Sequence, residues 1–110
     1  MVFEAGGSSG GVMWTAAGII PELGPDVFTC AFDRPGIVYD TVVPTAPVPM
    51  VLSPHAIATI LVKTLEQADV GPRVILVGHS IGGMNAVEFG AAYPDRVAGA
   101  VCWIRRVPRL

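Results

Sequence analysis

The chain has 110 residues, 52% hydrophobic and 15% charged, with a formal net charge of −2 at pH 7. That length suits one domain, and a charged share well below the usual ~25% calls for regular structure that is mostly buried. The weak acidic balance gives no electrostatic case for a nucleic-acid or anionic-membrane partner, and no apolar run approaches the ~20 residues needed to cross a bilayer.

In chain order, "MVFEA" reads as a short strand, with no basic region and apolar core of the kind that marks a signal peptide. "GGSSGG" is a loop. "MWTAAGIIPELG" predicts a short helix ended by Gly24 and Pro25, and the β-branched and aromatic run "DVFTCAFD" predicts a second strand. The proline-rich stretch "RPGIVYDTVVPTAPVPMVLSP" is a long loop, and loops of that length are usually functional or poorly ordered.

Ser53 and Pro54 then supply a helix start, a side-chain acceptor followed by a residue suited to the first helical position. Ile57, Ile60, Leu61, Leu65 and Ala68 recur at helical spacing, and Gly71-Pro72 stops the run. "RVILVG" is a strand apolar throughout, hence expected to be buried on both faces. "IGGMNAVEFGAAY" is a helix halted before Pro94, and "RVAGAVCWI" is the last strand. The order β-α-β-α-β-α-β predicts an α/β fold with a parallel sheet, right-handed crossovers and a ligand site at the carboxyl edge of the strands.

Cys30 and Cys102 sit in apolar, strand-like settings and read as reduced, buried thiols of a cytoplasmic protein. No Cys/His cluster has metal-ligand spacing, so no metal is expected. Nucleotide binding is also disfavoured. "GGSSGGVM" lacks the Lys-Ser/Thr that ends a P-loop, and no G-x-G-x-x-G occurs. No cofactor is implied.

Gly78-His79-Ser80-Ile81-Gly82 fits G-x-S-x-G directly between a buried strand and a helix. A serine held on so tight a turn strains its backbone, and the residues two before and two after crowd each other, so both must be very small. Ser80 then projects at the positive end of the helix, with the N–H of Ile81 beside the position where an oxyanion forms. Gly83 and the series Gly82, Ala86 and Gly90 leave one face of this helix nearly bare, which predicts close packing on the sheet.

These segments resemble the central part of the α/β-hydrolase fold superfamily, of the serine-nucleophile type, over residues 2 to 101. "GHSIGG" and "YPDRVAGAV" resemble its nucleophile elbow, the end of the following helix and the next strand; "FEAGGSSGGVMW" resembles its oxyanion loop, and "AFDRPGIVYD" its Asp-Arg-x-Gly-x-Gly-x-Ser loop. The resemblance implies Ser80 as catalytic nucleophile, Ile81 and Gly7 as backbone oxyanion donors, and Gly78, His79 and Gly82 as elbow residues. It implies a single truncated core over residues 1–110, with about four parallel strands in the order 4-3-5-6 of the family's own count. Ala5 stands where a histidine is usual, Val38 where a glycine is, and Asp40 where serine is common.

In that family the triad acid and histidine follow the serine. After Ser80 the chain offers Glu88 and Asp95 but no histidine. Glu88 falls two turns below the serine and Asp95 at the far end of the helix, neither placed to orient a base. His79 is expected to pack beside the elbow, and His55 to be a solvated first-turn residue. Asp33 and Arg34 are expected to hold a loop, while Asp26, Asp40 and Glu4 read as solvated loop or turn residues. The sequence is therefore expected to be a partial hydrolase, and three arginines in "RRVPRL" suggest a premature end or altered reading frame.

Two functions follow. One is acyl hydrolysis of an ester, lactone, thioester or amide by a serine nucleophile, with 110 residues that turn over little by themselves for want of a base. The other is a catalytically inactive module of the same fold that binds a small ligand or self-associates through exposed sheet edges.

Overall fold

The computed structural model of the chain describes residues 1–7, 9–38, 41–42 and 52–103. Asp40, most of the proline-rich loop and the arginine-rich tail lie outside the described residues. In chain order the elements are β1 (Val2–Glu4), α1 (Val12–Ala16), α2 (Ile19–Glu22), β2 (Cys30–Phe32), β3 (Ile37–Val38), β4 (Thr41–Val42), α3 (Pro54–Gln67), β5 (Val74–His79), α4 (Ile81–Ala92) and β6 (Val97–Trp103), with a 3₁₀ turn at Pro94–Arg96.

Four strands form one parallel sheet in the order β2-β1-β5-β6. This is the parallel α/β sheet expected from the strand–helix alternation, in the strand order that the resemblance to the α/β-hydrolase fold implied. Strand register puts Val2, Cys30, Val74 and Leu76 on the face covered by α3 and α4. There they join Ala58, Leu61, Val62, Leu65, Ala86 and Phe89 in the main core. On the opposite face Trp14 of α1 covers Phe3 of β1, the rings 5.2 Å apart.

Beyond that pair the second face has little cover among the described residues. Ile75, Val101 and Trp103 are 40%, 55% and 59% exposed. The expectation that β5 is buried on both faces is thus corrected: an all-apolar strand does not by itself show that both of its faces are covered. β6 is an edge strand, and Cys102 on it is exposed while Cys30 is only half-buried, so the two free thiols are not the buried pair anticipated.

Other differences have local causes. The first helical segment is broken into two short helices by Gly18 at φ 80°, a left-handed value that suits glycine. The second strand is shorter than its β-branched run, because β1 pairs with it only from Val2↔Cys30 onward. Within the predicted long loop, Ile37↔Val42 and Val38↔Thr41 form a two-pair antiparallel hairpin.

Ser53 caps α3 as expected, accepting from the Ala56 N–H at 3.1 Å, with Pro54 first in the helix. Gly71 does not end that helix. Asp69 takes φ 53°, and the Val70 N–H reaches back to the Leu65 carbonyl at 2.9 Å, a Schellman closure with aspartate in the usual glycine place. No helix among the described residues is long and apolar enough to cross a membrane.

Candidate active site

β5 passes into α4 at Ser80, which takes φ 55° and ψ −120° and is exposed at the carboxyl edge of the sheet. For a residue with a β-carbon this is a strained backbone, persisting only where its surroundings impose it. Three hydrogen bonds do so. The Ser80 N–H donates to the Trp103 carbonyl of β6 at 2.9 Å, and the Ser80 carbonyl accepts from the N–H groups of Gly83 and Met84 at 2.9 and 3.3 Å.

Crowding explains the flanking glycines. A β-carbon on Gly78 would overlap the Gly82 carbonyl, and one on Gly82 would overlap the Glu4 carbonyl oxygen and stand 2.7 Å from that of Ala5. Gly83 lies over Cys102 at ordinary packing distance. Gly90 has nothing within 4 Å of its would-be β-carbon, so the close-approach face is Gly82, Gly83 and Ala86, and the expectation for Gly90 is corrected. The Gly90 position faces open space although its neighbour Phe89 is fully buried in the core.

The loop after β1 comes to the same place. A β-carbon on Gly6 would be 2.9 Å from His79 Nδ1 and 3.0 Å from Ser80 Cβ, so only glycine lets this backbone pass the serine. Gly7 follows at φ 49°. Arg34, itself buried, donates from its two terminal nitrogens to the carbonyl oxygens of Ala5 and Gly7, and Asp33 accepts from the Gly11 N–H at 2.6 Å. Among the described residues, neither Gly7 N–H nor Ile81 N–H, the first of its helix, has a backbone acceptor. His79 is half-buried, its ring edge-on to Trp103 at 6.0 Å, and its Nδ1 has no partner among the described residues.

Gly7, Arg34, Pro35, Ile37, Leu52, Ile57, Ile81 and Asn85 line a cleft of about 280 Å³. Its walls are chiefly apolar, with Arg34 and Asn85 as polar members, a mix common in small-molecule sites.

Two polar residues beside it escaped the sequence reading. Glu4, expected to be solvated, is 2% exposed, and Asn85, which no motif marks, is also 2% exposed. The Asn85 Nδ2 donates to Glu4 Oε2 at 3.0 Å. Burial raises the Glu4 carboxyl above its ordinary 4.5, against the lowering effects of the Asn85 hydrogen bond and the Arg34 charge. Burial likewise lowers Arg34, opposed by Glu4 and Asp33. The sequence signal was a polar side chain where the pattern of β1 and of the inner face of α4 asks for an apolar one.

The remaining titratable candidates do not gather at Ser80. His55 Nδ1 lies 3.1 Å from Glu88 Oε1, a contact that no sequence pattern marked. Glu88 lies eight residues beyond Ser80, however, roughly 12 Å along the helix axis at 1.5 Å per residue. The pair is also largely solvent-exposed. It bridges α3 and α4 rather than serving the serine. Asp26 and Asp95 are exposed. No group of three or more metal-ligating side chains occurs among the described residues.

A strained, exposed serine between a parallel strand and a helix, with a loop passing beside it at a position where only glycine fits, defines a protein of the hydrolase-elbow class. The family model for the α/β hydrolase fold matches residues 1–103, and the chain belongs to that family. An uncharacterised protein of Schizosaccharomyces pombe is 35% identical over 82 residues, 74% of this chain and 14% of its own length. A non-heme haloperoxidase, so named, of a Mycobacterium phage is 48% identical over 42 residues, 38% of this chain and 15% of its own.

Among solved structures, a thermophilic esterase from Thermogutta terrifontis, malate bound, superposes with a TM-score of 0.77 at 25% identity, covering 99% of this chain and 38% of that one. An extracellular α/β-hydrolase from a Paenibacillus species, described as sharing structural and functional homology with tobacco salicylic acid binding protein 2, gives 0.66 at 22% identity, covering 92% and 38%. The chain therefore spans about a seventh of these curated relatives and under two-fifths of these structures.

Proposed function

We propose that Ser80 is the nucleophile of an acyl-hydrolase site, with the backbone N–H groups of Gly7 and Ile81 as its oxyanion donors. The observation that carries this reading is the conformation of Ser80, φ 55° on an exposed turn that Gly6, Gly78 and Gly82 allow to form. Strain of this kind, imposed at one residue by its neighbours, is characteristic of functional positions. The esterase likeness supports an ester among the acyl substrates, and the small apolar cleft beside Gly7 and Ile81 suits a modest acyl group.

In the reaction so assigned, Ser80 Oγ bonds to the carbonyl carbon while its proton passes to a base. The carbonyl oxygen takes up the negative charge between the two N–H groups. Collapse of this intermediate expels the alcohol, thiol or amine and leaves an acyl-serine, which water then hydrolyses. No histidine or carboxylate of these residues takes that proton efficiently in this assignment, which the position of the His55–Glu88 pair well along α4 from Ser80 supports. In this reading these 110 residues hold the nucleophile and oxyanion donors but turn substrate over slowly, the residual rate resting on oxyanion and binding effects of order 10³ over water.

Prolonged exposure to a fluorophosphonate tests both halves. Slow, stoichiometric modification at Ser80, lost in Ser80→Ala, is expected. Modification at another residue contradicts the nucleophile, and modification at the speed of a complete serine hydrolase contradicts the missing base.

A second reading, a non-catalytic module that associates with copies of itself, draws on the open sheet face at Ile75, Val101 and Trp103.

A further inference from the structure

Glu4 and Asn85 are buried beside the serine turn, and the reaction proposed above uses neither. One Glu4 oxygen accepts the Asn85 amide, and the other has no partner among the described residues. Burying a carboxyl and an amide where two apolar side chains would pack is unfavourable for stability. Their positions give that arrangement a use.

The two residues belong to different arms of the candidate site. Glu4 ends β1, three residues before Gly7. Asn85 lies one helical turn beyond Ile81 in α4. Close contact between Gly82 and the carbonyls of Glu4 and Ala5 sets how near α4 stands to β1. Such contact is not directional, so it does not by itself fix the rotation of the helix. A hydrogen bond is directional. The Asn85–Glu4 bond therefore sets the register of the first turn of α4 against the end of β1.

We infer that the Glu4–Asn85 hydrogen bond is a cross-tie holding the Ile81 N–H in register with the Gly7 N–H, so that Glu4 and Asn85 are positioning residues for chemistry at Ser80. The inference rests on the reading of Ser80 as nucleophile. Arg34 completes the frame from the other side, since its bonds to the Ala5 and Gly7 carbonyls fix the orientation of the loop that carries the second donor. Gly7, Arg34, Ile81 and Asn85 all line the one cleft, which places both donors, the clamp and one end of the tie around a common space.

The test is the rate of Ser80 phosphonylation by excess fluorophosphonate, followed by intact mass at a temperature where each variant keeps native circular dichroism. Glu4→Met and Asn85→Leu remove acceptor and donor at similar volume, whereas Glu4→Gln keeps an acceptor for the Asn85 amide. Each removal is expected to slow phosphonylation about tenfold or more, since loss of one oxyanion donor outright costs about a hundredfold or more. The double variant is expected to react no more slowly than either single one, and Glu4→Gln to stay within about twofold of wild type.

A folded variant that lacks the bond yet reacts at the wild-type rate overturns the cross-tie and leaves the nucleophile standing. So does a Glu4→Gln rate as low as that of Glu4→Met. If one removal variant does not fold, the other decides by the same criterion. If wild-type Ser80 takes up no phosphonyl group, the nucleophile reading falls and the cross-tie with it.

Discussion

Gly78 and Gly82 meet across the serine turn so closely that a β-carbon on the first would overlap the carbonyl of the second. This contact, with the carbonyls of Glu4 and Ala5 packed on Gly82, makes the turn a three-way junction of β5, α4 and the end of β1. The neighbours are backbone atoms, which have no rotamer to give way. Gly82→Ala is therefore expected to destabilise the fold by at least the ~1–3 kcal/mol typical of overpacking. Gly90→Ala, on the same helix with open space around it, is expected to stabilise by ~0.5–1 kcal/mol through helix propensity. Urea unfolding of the two variants checks the opposite signs.

Glu4 gives a pH dependence whose sign follows from its burial. Its folded pKa is raised above the ordinary 4.5. The fold thus favours the protonated carboxyl, and the stability this confers is full below the unfolded pKa and lost as pH rises through the folded value. Glu4→Gln removes the titration. The stability of that variant relative to wild type is expected to increase as pH climbs above 4.5 and then level off; urea midpoints across a pH series measure it. A flat difference would mean that Glu4 titrates alike in both states.

The open face of β5 and β6 leads to a third expectation. Val101 and Trp103 expose apolar surface on an edge strand, an arrangement that favours association between chains. Sedimentation at rising protein concentration is expected to show growth beyond the monomer, reduced in Trp103→Lys. A monomer at every concentration would remove the support for the second functional reading.

Much of this was legible in the sequence, and the parts that were not have a common cause. The passage from β5 through Ser80 to α4, the Ser53 cap and the parallel order all rest on local signals: periodicity, capping chemistry and small residues at fixed offsets. The Glu4–Asn85 pair joins residues 81 apart, and neither has a local pattern that names the other. Glu4 read as solvated because a carboxylate at a strand end usually is; only the arrival of α4 over β1 buries it. Gly90 read as a contact residue because helical spacing suggests a face but not which positions on it meet a neighbour. The bareness of Ile75 and Val101 was hidden for the same reason, since an apolar strand signals capacity for burial and not the presence of a cover.

The central claim, that a strained Ser80 stands beside two free amide hydrogens, is tested most directly by a crystal structure of the chain after complete phosphonylation. The account predicts phosphorus on Ser80 Oγ, a positive φ at that residue, and the phosphoryl oxygen within hydrogen-bond distance of both the Gly7 and Ile81 nitrogens. An adduct whose phosphoryl oxygen points to solvent, with Ser80 relaxed to negative φ, would contradict it.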